Sequence, residues 1–177
     1  PDFAEAHAEW AIGRLIGDVS PAHLDAARAA IDRALTLQPK LVRAHAARGL
    51  WLLQSDPPDA AAAEATLRGV LEQDPNMSDA LLWLSSSLGI QGRSDDSVAV
   101  LQRAVRIDPL HPSITANFAD QLLLRGKDRE ALQVLENAIR QPNPGYGPFL
   151  ILRNMHRGSG RLVELNAVVK EQLLRGI

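Results

Sequence analysis

The sequence predicts an all-α chain, a stack of about five helix-turn-helix hairpins, and three observations carry that expectation. Among the 177 residues alanine and leucine dominate, aromatics are only 4%, and β-branched residues form no alternating runs, so the strand pattern is missing. Pro1, Pro39, Pro75 and Pro109 are spaced 38, 36 and 34 residues apart, and matching stretches follow them: PDFAEAH, PKLVRAH, PNMSDAL and PLHPSIT. Gly92, Gly126 and Gly160 then fall 34 residues apart, each followed by Arg or Lys.

Each unit is divided into two helices by its own punctuation. The stretch from Leu81 to Pro109 shows this most plainly: Gly92 ends the first helix, and Ser94 with Asp95 and Asp96 supplies an N-cap and an acidic first turn for the second. Ser20-Pro21, Asp56-Pro57-Pro58, and Asp128 after Gly126 do the same work elsewhere, proline being tolerated where its missing N–H would be unpaired anyway. Helices are expected at about 3–17, 21–37, 42–54, 58–73, 78–91, 94–107, 112–125, 128–140, 147–158 and 161–175. They group into one repeat domain, 1–177, with units at about 4–41, 42–77, 78–111, 112–145 and 146–177. The run Pro142-Asn143-Pro144-Gly145-Tyr146-Gly147-Pro148 is either a hinge or a long turn before the last hairpin.

Composition narrows the function classes. With 46% hydrophobic and 23% charged residues the chain can bury a core, and its net charge of -2 offers no basic field for nucleic acid or an anionic membrane. Cysteine is absent, which removes disulfides, thiolate nucleophiles and sulfur-ligated metals. No apolar run reaches the roughly 18 residues of a membrane span, so the segment is expected to be soluble, in cytoplasm or periplasm alike. Because it opens at Pro1 without methionine, and Pro1 sits in the column of closing prolines, it is read as a piece of a longer protein with a further unit, or a mimic of one, upstream.

With units numbered from Ala4, Val42, Ser78, Pro112 and Tyr146, the eighth place holds Ala11, Gly49, Ser85, Ala119 and Arg153. The second helices align Ala27, Ala63, Ser97, Ala131 and Leu165, then Ile31, Leu67, Leu101, Leu135 and Val169, then Ala34, Val70, Ala104, Ala138 and Gln172. Over essentially the whole chain this resembles the tetratricopeptide repeats, whose period is 34 and whose signature is small residues at fixed places. The physics is independent of the name: helices approach to about 8 Å only where a small side chain sits at the crossing. A hairpin of this size leaves its apolar faces uncovered and must stack on its neighbours, which gives a right-handed α-solenoid whose first helices line a concave face. The chain departs from the family at the fourth place, which holds His7, His45, Leu81, Thr115 and Phe149 rather than a regular aromatic. Arg153 and Gln172 put polar groups in small or apolar slots of the last unit, as in a cap.

No catalytic or nucleotide-binding motif is present, and the chain is expected to be non-enzymatic and without cofactor. Arg157-Gly158-Ser159-Gly160 reads as a turn at a repeat joint rather than a phosphate loop. His7 and His45 share a repeat position on neighbouring first helices. With Glu5 or Asp79 they could be imagined as metal ligands, but an incomplete set favours a packing slot and no metal.

The resemblance implies that places two, five, six, nine, twelve and thirteen of each first helix face the groove. It points to a partner-binding set of Arg43, Leu50, Asp79, Leu82, Trp83, Ser86, Asn117, Asp120, Leu124 and Asn154, with Ile16 and Ile90 on the same lining. Trp83 is expected to aim into the groove as an anchor, the alternative being that it packs between neighbouring helices. Asn117 and Asp120, one turn apart, are either hydrogen-bonding groups for a partner or ordinary solvated side chains. The subtype that clamps the carboxylate of chaperone tails needs lysine and asparagine where this chain has Ala8, Ile12, Ala46 and Leu50, and Asp120 has the wrong sign.

The implied function is a protein-interaction module that takes a peptide or helix of a partner, or of a neighbouring domain, with self-association through the N-terminal edge as a second mode. A weaker resemblance, in Arg33-Ala34-Leu35 before Gln38-Pro39 and in Asp108 to Ser113, points to a helical-repeat sensor of a bacterial membrane-spanning transcription regulator or to a substrate-positioning arm of a signalling enzyme or transferase.

Overall fold

A computed structural model describes residues 3–17, 20–141 and 145–158, together with 160, 164, 167, 168, 170 and 174. Among these residues there are nine helices and no strand. They are α1 (Ala4–Gly17), α2 (Pro21–Leu37), α3 (Val42–Gln54), α4 (Ala60–Gln73), α5 (Ser78–Ile90), α6 (Ser94–Ile107), α7 (Pro112–Leu123), α8 (Asp128–Ile139) and α9 (Tyr146–Gly158). The expected helix at 161–175 lies largely outside the described residues, as do 142–144 of the Pro142–Pro148 run expected to be a hinge or a long turn; Tyr146, Gly147 and Pro148 of that run form the first turn of α9. The largest boundary differences are two residues: α7 ends at Leu123 rather than 125, and α4 begins at Ala60 rather than 58. Asp59 is its N-cap, its carboxylate accepting the Ala62 N–H at 3.0 Å, so Pro57 and Pro58 stay in the turn.

The chain divides into two compact units, Pro1–Val100 and Leu101–Ile177, with the division inside α6. In the first unit α1 packs on α2 and α3 on α4, while α1, α3 and α5 adjoin in that order. The small-residue places are where these helices close. Ala11, Ala27 and Ala63 are fully buried, and a Cβ built on Gly49 would lie 2.6 Å from Cγ of Leu67, so α3 and α4 meet with no room for a side chain. In the third hairpin the slot holds two serines, and the Ser97 hydroxyl donates to the Ser85 carbonyl at 2.8 Å, which satisfies the polar group inside the crossing. Ala8, Ala34 and Ala44 then form one buried cluster from three successive helices, with Leu35 and Leu41 against it.

Polar ties reinforce this stacking. Trp51 Nε1 donates to the Leu24 carbonyl at 3.1 Å, and the Arg28 guanidinium covers the Trp51 ring at 5.3 Å. Glu64 on α4 accepts from Gln91 at 2.8 Å and from Arg93 at 2.8 Å in the turn after α5, and from Arg68 on its own helix. The hydrogen bonds from Gln91 and Arg68, with that from Arg93 and its charge, pull the Glu64 carboxyl down to about 2 against the opposing effect of desolvation.

In the second unit α7 packs on α8, and α9 lies against both. Its core joins Ala119, Leu122, Ala131, Leu135, Phe149, Leu152 and Val168. Phe149, at the fourth place of its repeat, is fully buried, so the one aromatic in that column serves as core. The polypeptide enters α9 by close contact: Gly145 has φ +64°, and a Cβ there would meet Pro112 Cβ at 2.6 Å. Helix stops work as expected in both units. Gly92 and Gly126 take φ of 74° and 69°, and the next residues, Arg93 and Lys127, donate back to the Leu88 and Leu122 carbonyls, each at 2.9 Å.

Two outcomes follow from this packing. Gly49→Ala lowers unfolding stability by about 1–3 kcal/mol through overpacking against Leu67. Gly69→Ala, where an added Cβ meets nothing within 4 Å, raises it by up to about 1 kcal/mol through helix propensity; urea titration of both variants reads the contrast. The second outcome concerns pH. Because the folded-state value of Glu64 lies below the ordinary 4.5, its contribution is complete above that value and is lost as pH falls toward about 2. Glu64→Gln therefore flattens that part of the acid limb in melting curves, leaving the neutral limb with the same slope.

Candidate functional site

The first-helix face of the first unit is organised by one arginine. Arg43, in the first turn of α3, donates from Nη2 to Glu9 Oε2 of α1 at 3.2 Å and from Nη1 to Asp79 Oδ2 of α5 at 2.8 Å. Its Nε also reaches Glu9 Oε1. A guanidinium has five donors in a fixed fork, so it can serve two carboxylates on opposite sides at once, and here these come from hairpins before and after its own. The Arg43 and Asp79 side chains are 26% and 27% exposed, whereas Glu9 is 56% exposed. Partial desolvation alone would lower the Arg43 pKa; the hydrogen bonds and charges of Glu9 and Asp79 outweigh it and hold the value above normal.

Around this row the expected lining sorts into three groups. Leu50, Leu82 and Trp83 are buried at 5%, 8% and 6% exposure. Trp83 is therefore not the open anchor expected from its repeat place. The reason is that α5 is apolar on nearly every side: Ala80, Leu81, Leu84, Ser85, Ser87 and Leu88 are buried as well, which makes it an interior helix rather than an amphipathic one. Arg43 and Asp79 are half-buried and joined. Ser86 is exposed, its hydroxyl turned back on the Leu82 carbonyl at 3.2 Å.

The exposed apolar groups instead lie at the thirteenth place, the last turn of the first helices. Ile16 of α1 is 67% exposed and Ile90 of α5 is 56% exposed. Between them in the repeat order stands Gln54 of α3, whose Nε2 donates to the Leu15 carbonyl at 3.5 Å. Sequence reasoning put Ile16 and Ile90 on the lining but left Glu9, the first partner of Arg43, out of the binding set, although its sixth place is one of those expected to face the groove.

In the second unit the thirteenth place is again open, with Leu124 73% exposed. Asn117 and Asp120 of α7 are exposed, and Asn117 Nδ2 donates to the Ser113 carbonyl at 2.7 Å. Asn154 of α9 is exposed at the edge of a cavity of about 640 Å³, lined also by Leu123, Asp128, Arg129, Leu132, Met155, His156 and Gly158. Arg153, in the eighth-place slot, is half-buried. His7 and His45 are half-buried in their fourth-place slots, and the His45 ring Nε2 lies 2.9 Å from the Pro39 carbonyl. Among the described residues no group of three or more His, Cys, Asp or Glu side chains converges, and no helix is long and apolar enough to cross a membrane.

No protein-family model matches the chain. It is 35% identical over 129 residues to a TPR repeat-containing protein of Treponema pallidum (strain Nichols), a match covering 71% of this chain but only 16% of that protein. Among solved structures it resembles TTC0263, a thermophilic TPR protein of Thermus thermophilus, with a TM-score of 0.77 and 17% identity over 98% of this chain and 91% of that one. It likewise resembles PilF of Pseudomonas aeruginosa, with a TM-score of 0.75 and 19% identity over 98% and 77%. YrrB, described as a TPR protein with an unusual peptide-binding site, gives a TM-score of 0.53 at 20% identity over 68% and 61%. These likenesses establish the fold class, an all-α solenoid of helical hairpins.

The row on the first-helix face yields an ordered pair of couplings. In double-mutant cycles Arg43–Asp79 gives about 0.5–1 kcal/mol and Arg43–Glu9 less, about 0.2–0.5 kcal/mol, because Glu9 is the more solvated carboxylate. Urea titrations of Arg43→Met, Glu9→Gln, Asp79→Asn and the double variants read the order.

Proposed function

We propose that this chain, a member of the tetratricopeptide-repeat family, is a non-catalytic interaction module. In this reading the first-helix face of α1, α3 and α5 binds an extended or helical segment of a partner protein or of a neighbouring domain. The observation that carries the proposal is the pairing of exposed Ile16 and Ile90, at one repeat place on two helices, with the Glu9–Arg43–Asp79 row on the same helices. Fully burying an isoleucine is worth about 1.5–3 kcal/mol, so two that remain open are a reserve that only a ligand collects. The row carries two carboxylates against one guanidinium, which favours a ligand with a basic group beside its apolar ones.

The peptide-binding site named for YrrB supports this reading by analogy of fold. The Treponema pallidum relative, of which this chain spans 16%, is motivation for a bound segment within one long polypeptide, as in a sensory domain or a substrate-positioning arm. Such an arm places the same demand on the surface.

A display library of peptides carrying basic and apolar residues, selected against the full chain, is the test. Ile90→Asp weakens the selected binders at least about tenfold, Arg43→Met alters their salt dependence, and Glu72→Ala, exposed on the second helix α4, leaves them unchanged. Binders indifferent to both first-helix variants would remove the proposal.

A further inference from the structure

The joint between successive hairpins repeats one contact, and the repeat register shows where that contact changes. The tenth place of the first helix is Trp51 in α3 and Ser87 in α5. Trp51 Nε1 donates to the Leu24 carbonyl of α2 at 3.1 Å, and the Ser87 hydroxyl donates to the Ala60 carbonyl of α4 at 2.8 Å. Leu24 and Ala60 occupy the same place, three residues before Ala27 and Ala63, so a side-chain donor twice reaches one carbonyl of the preceding second helix. A helix carbonyl keeps a second lone pair for such a bond. The residue after each alanine closes the joint from the side: Arg28 covers the Trp51 indole at 5.3 Å, and Glu64 accepts from Gln91 and Arg93.

Between α8 and α9 the same places hold Asp128, Leu132 and Met155. A thioether has no N–H or O–H, so the tenth place here supplies no donor for the Asp128 carbonyl. Leu132 stands where Arg28 and Glu64 stand in the other joints, and it brings no charge. This joint carries the cavity of about 640 Å³. Half-buried Leu123, Leu132 and Met155 form its apolar wall, and exposed Asp128, Arg129 and Asn154 supply the polar part of the lining.

We propose that this cavity binds a small molecule bearing an indole, or a like fused ring with a ring N–H. The ring lies against Leu123, Leu132 and Met155, and its N–H donates to the Asp128 carbonyl. The chain supplies its own precedent: between α2 and α3 the tenth place is filled by an indole, and that indole makes the matching hydrogen bond. The cavity volume falls within the range of about 300–1,000 Å³ usual for small-molecule sites, which favours a free ligand over an extended peptide. The site lies wholly in the second compact unit and is independent of the Arg43 row.

Met77 and Met155 are the chain's two methionines, so isotope labelling of the methionine methyls gives two signals, assigned with Met155→Leu. Indole added to the full chain shifts the Met155 signal saturably, with a Kd of about 1 mM or below, and leaves the Met77 signal in place. Benzofuran, which has the same shape without the N–H, binds about threefold to tenfold more weakly. Met155→Trp puts the chain's own indole into the cavity, raises the melting temperature and abolishes indole binding in ligand-observed NMR. A Met155 signal indifferent to indole overturns the proposal, and so does equal affinity for benzofuran. Binding of a tryptophan residue blocked at both ends at least about tenfold more tightly than indole also overturns it, since the ring would then belong to a peptide. Should Met155→Trp fail to fold, indole against benzofuran in the unchanged chain still decides.

Discussion

The close approach of paired helices at a small side chain is the constraint on which the rest of this molecule depends. Gly49 against Leu67, and Ser85 against Ser97, show two solutions to one steric requirement: either no side chain, or a short one whose hydroxyl is satisfied within the crossing. Once a hairpin is closed in this way it is thin, and the outer faces of both helices remain apolar. Neighbours must cover them, which is why Ala8 and Ala34 of one hairpin end up in a buried cluster with Ala44 of the next. The same sequence feature thus determines packing within a hairpin and the need for stacking between hairpins.

What was legible in the sequence follows from this. Small residues at a fixed period encode a distance between backbones, and backbone distance is local to the hairpin that carries the pattern. Ala11, Ala27, Ala63, Ala119 and Ala131 could therefore be placed correctly from the repeat register that the family resemblance implies, and they are all fully buried. Trp83 could not. Its repeat place gives a direction relative to its own helix, but burial is decided by what surrounds that helix, and α5 is enclosed on almost every side. The isoleucines at the thirteenth place lie near helix ends, where fewer neighbours compete for the surface, and there the direction implied by the repeat matched the exposure.

The polar ties were the least legible part. Arg43 reaches carboxylates 34 and 36 residues away, and Glu64 gathers partners 27 and 29 residues on, at places that do not share one register. Long flexible side chains settle on partners by reach and solvation rather than by periodicity, so a single repeat column does not reveal them. The glycine stops gave one hint, since each is followed by a basic residue: Arg93 joins Glu64 across hairpins, whereas Lys127 meets only its near neighbour Glu130 at 3.1 Å among the ion pairs described.

The Arg43 row also makes the ties of the first unit unequal along its own helices. Near the starts of α3 and α5 the first helices are clipped together by charged hydrogen bonds, while the far ends of α1 and α3 are joined by the neutral contact of Gln54 with the Leu15 carbonyl at 3.5 Å. The charged ties between the first helices therefore stand away from the end that carries Ile16 and Ile90. Salt screens the charged, partly exposed ties of that row and leaves the neutral contact at the other end, where the apolar side chains stand, largely untouched.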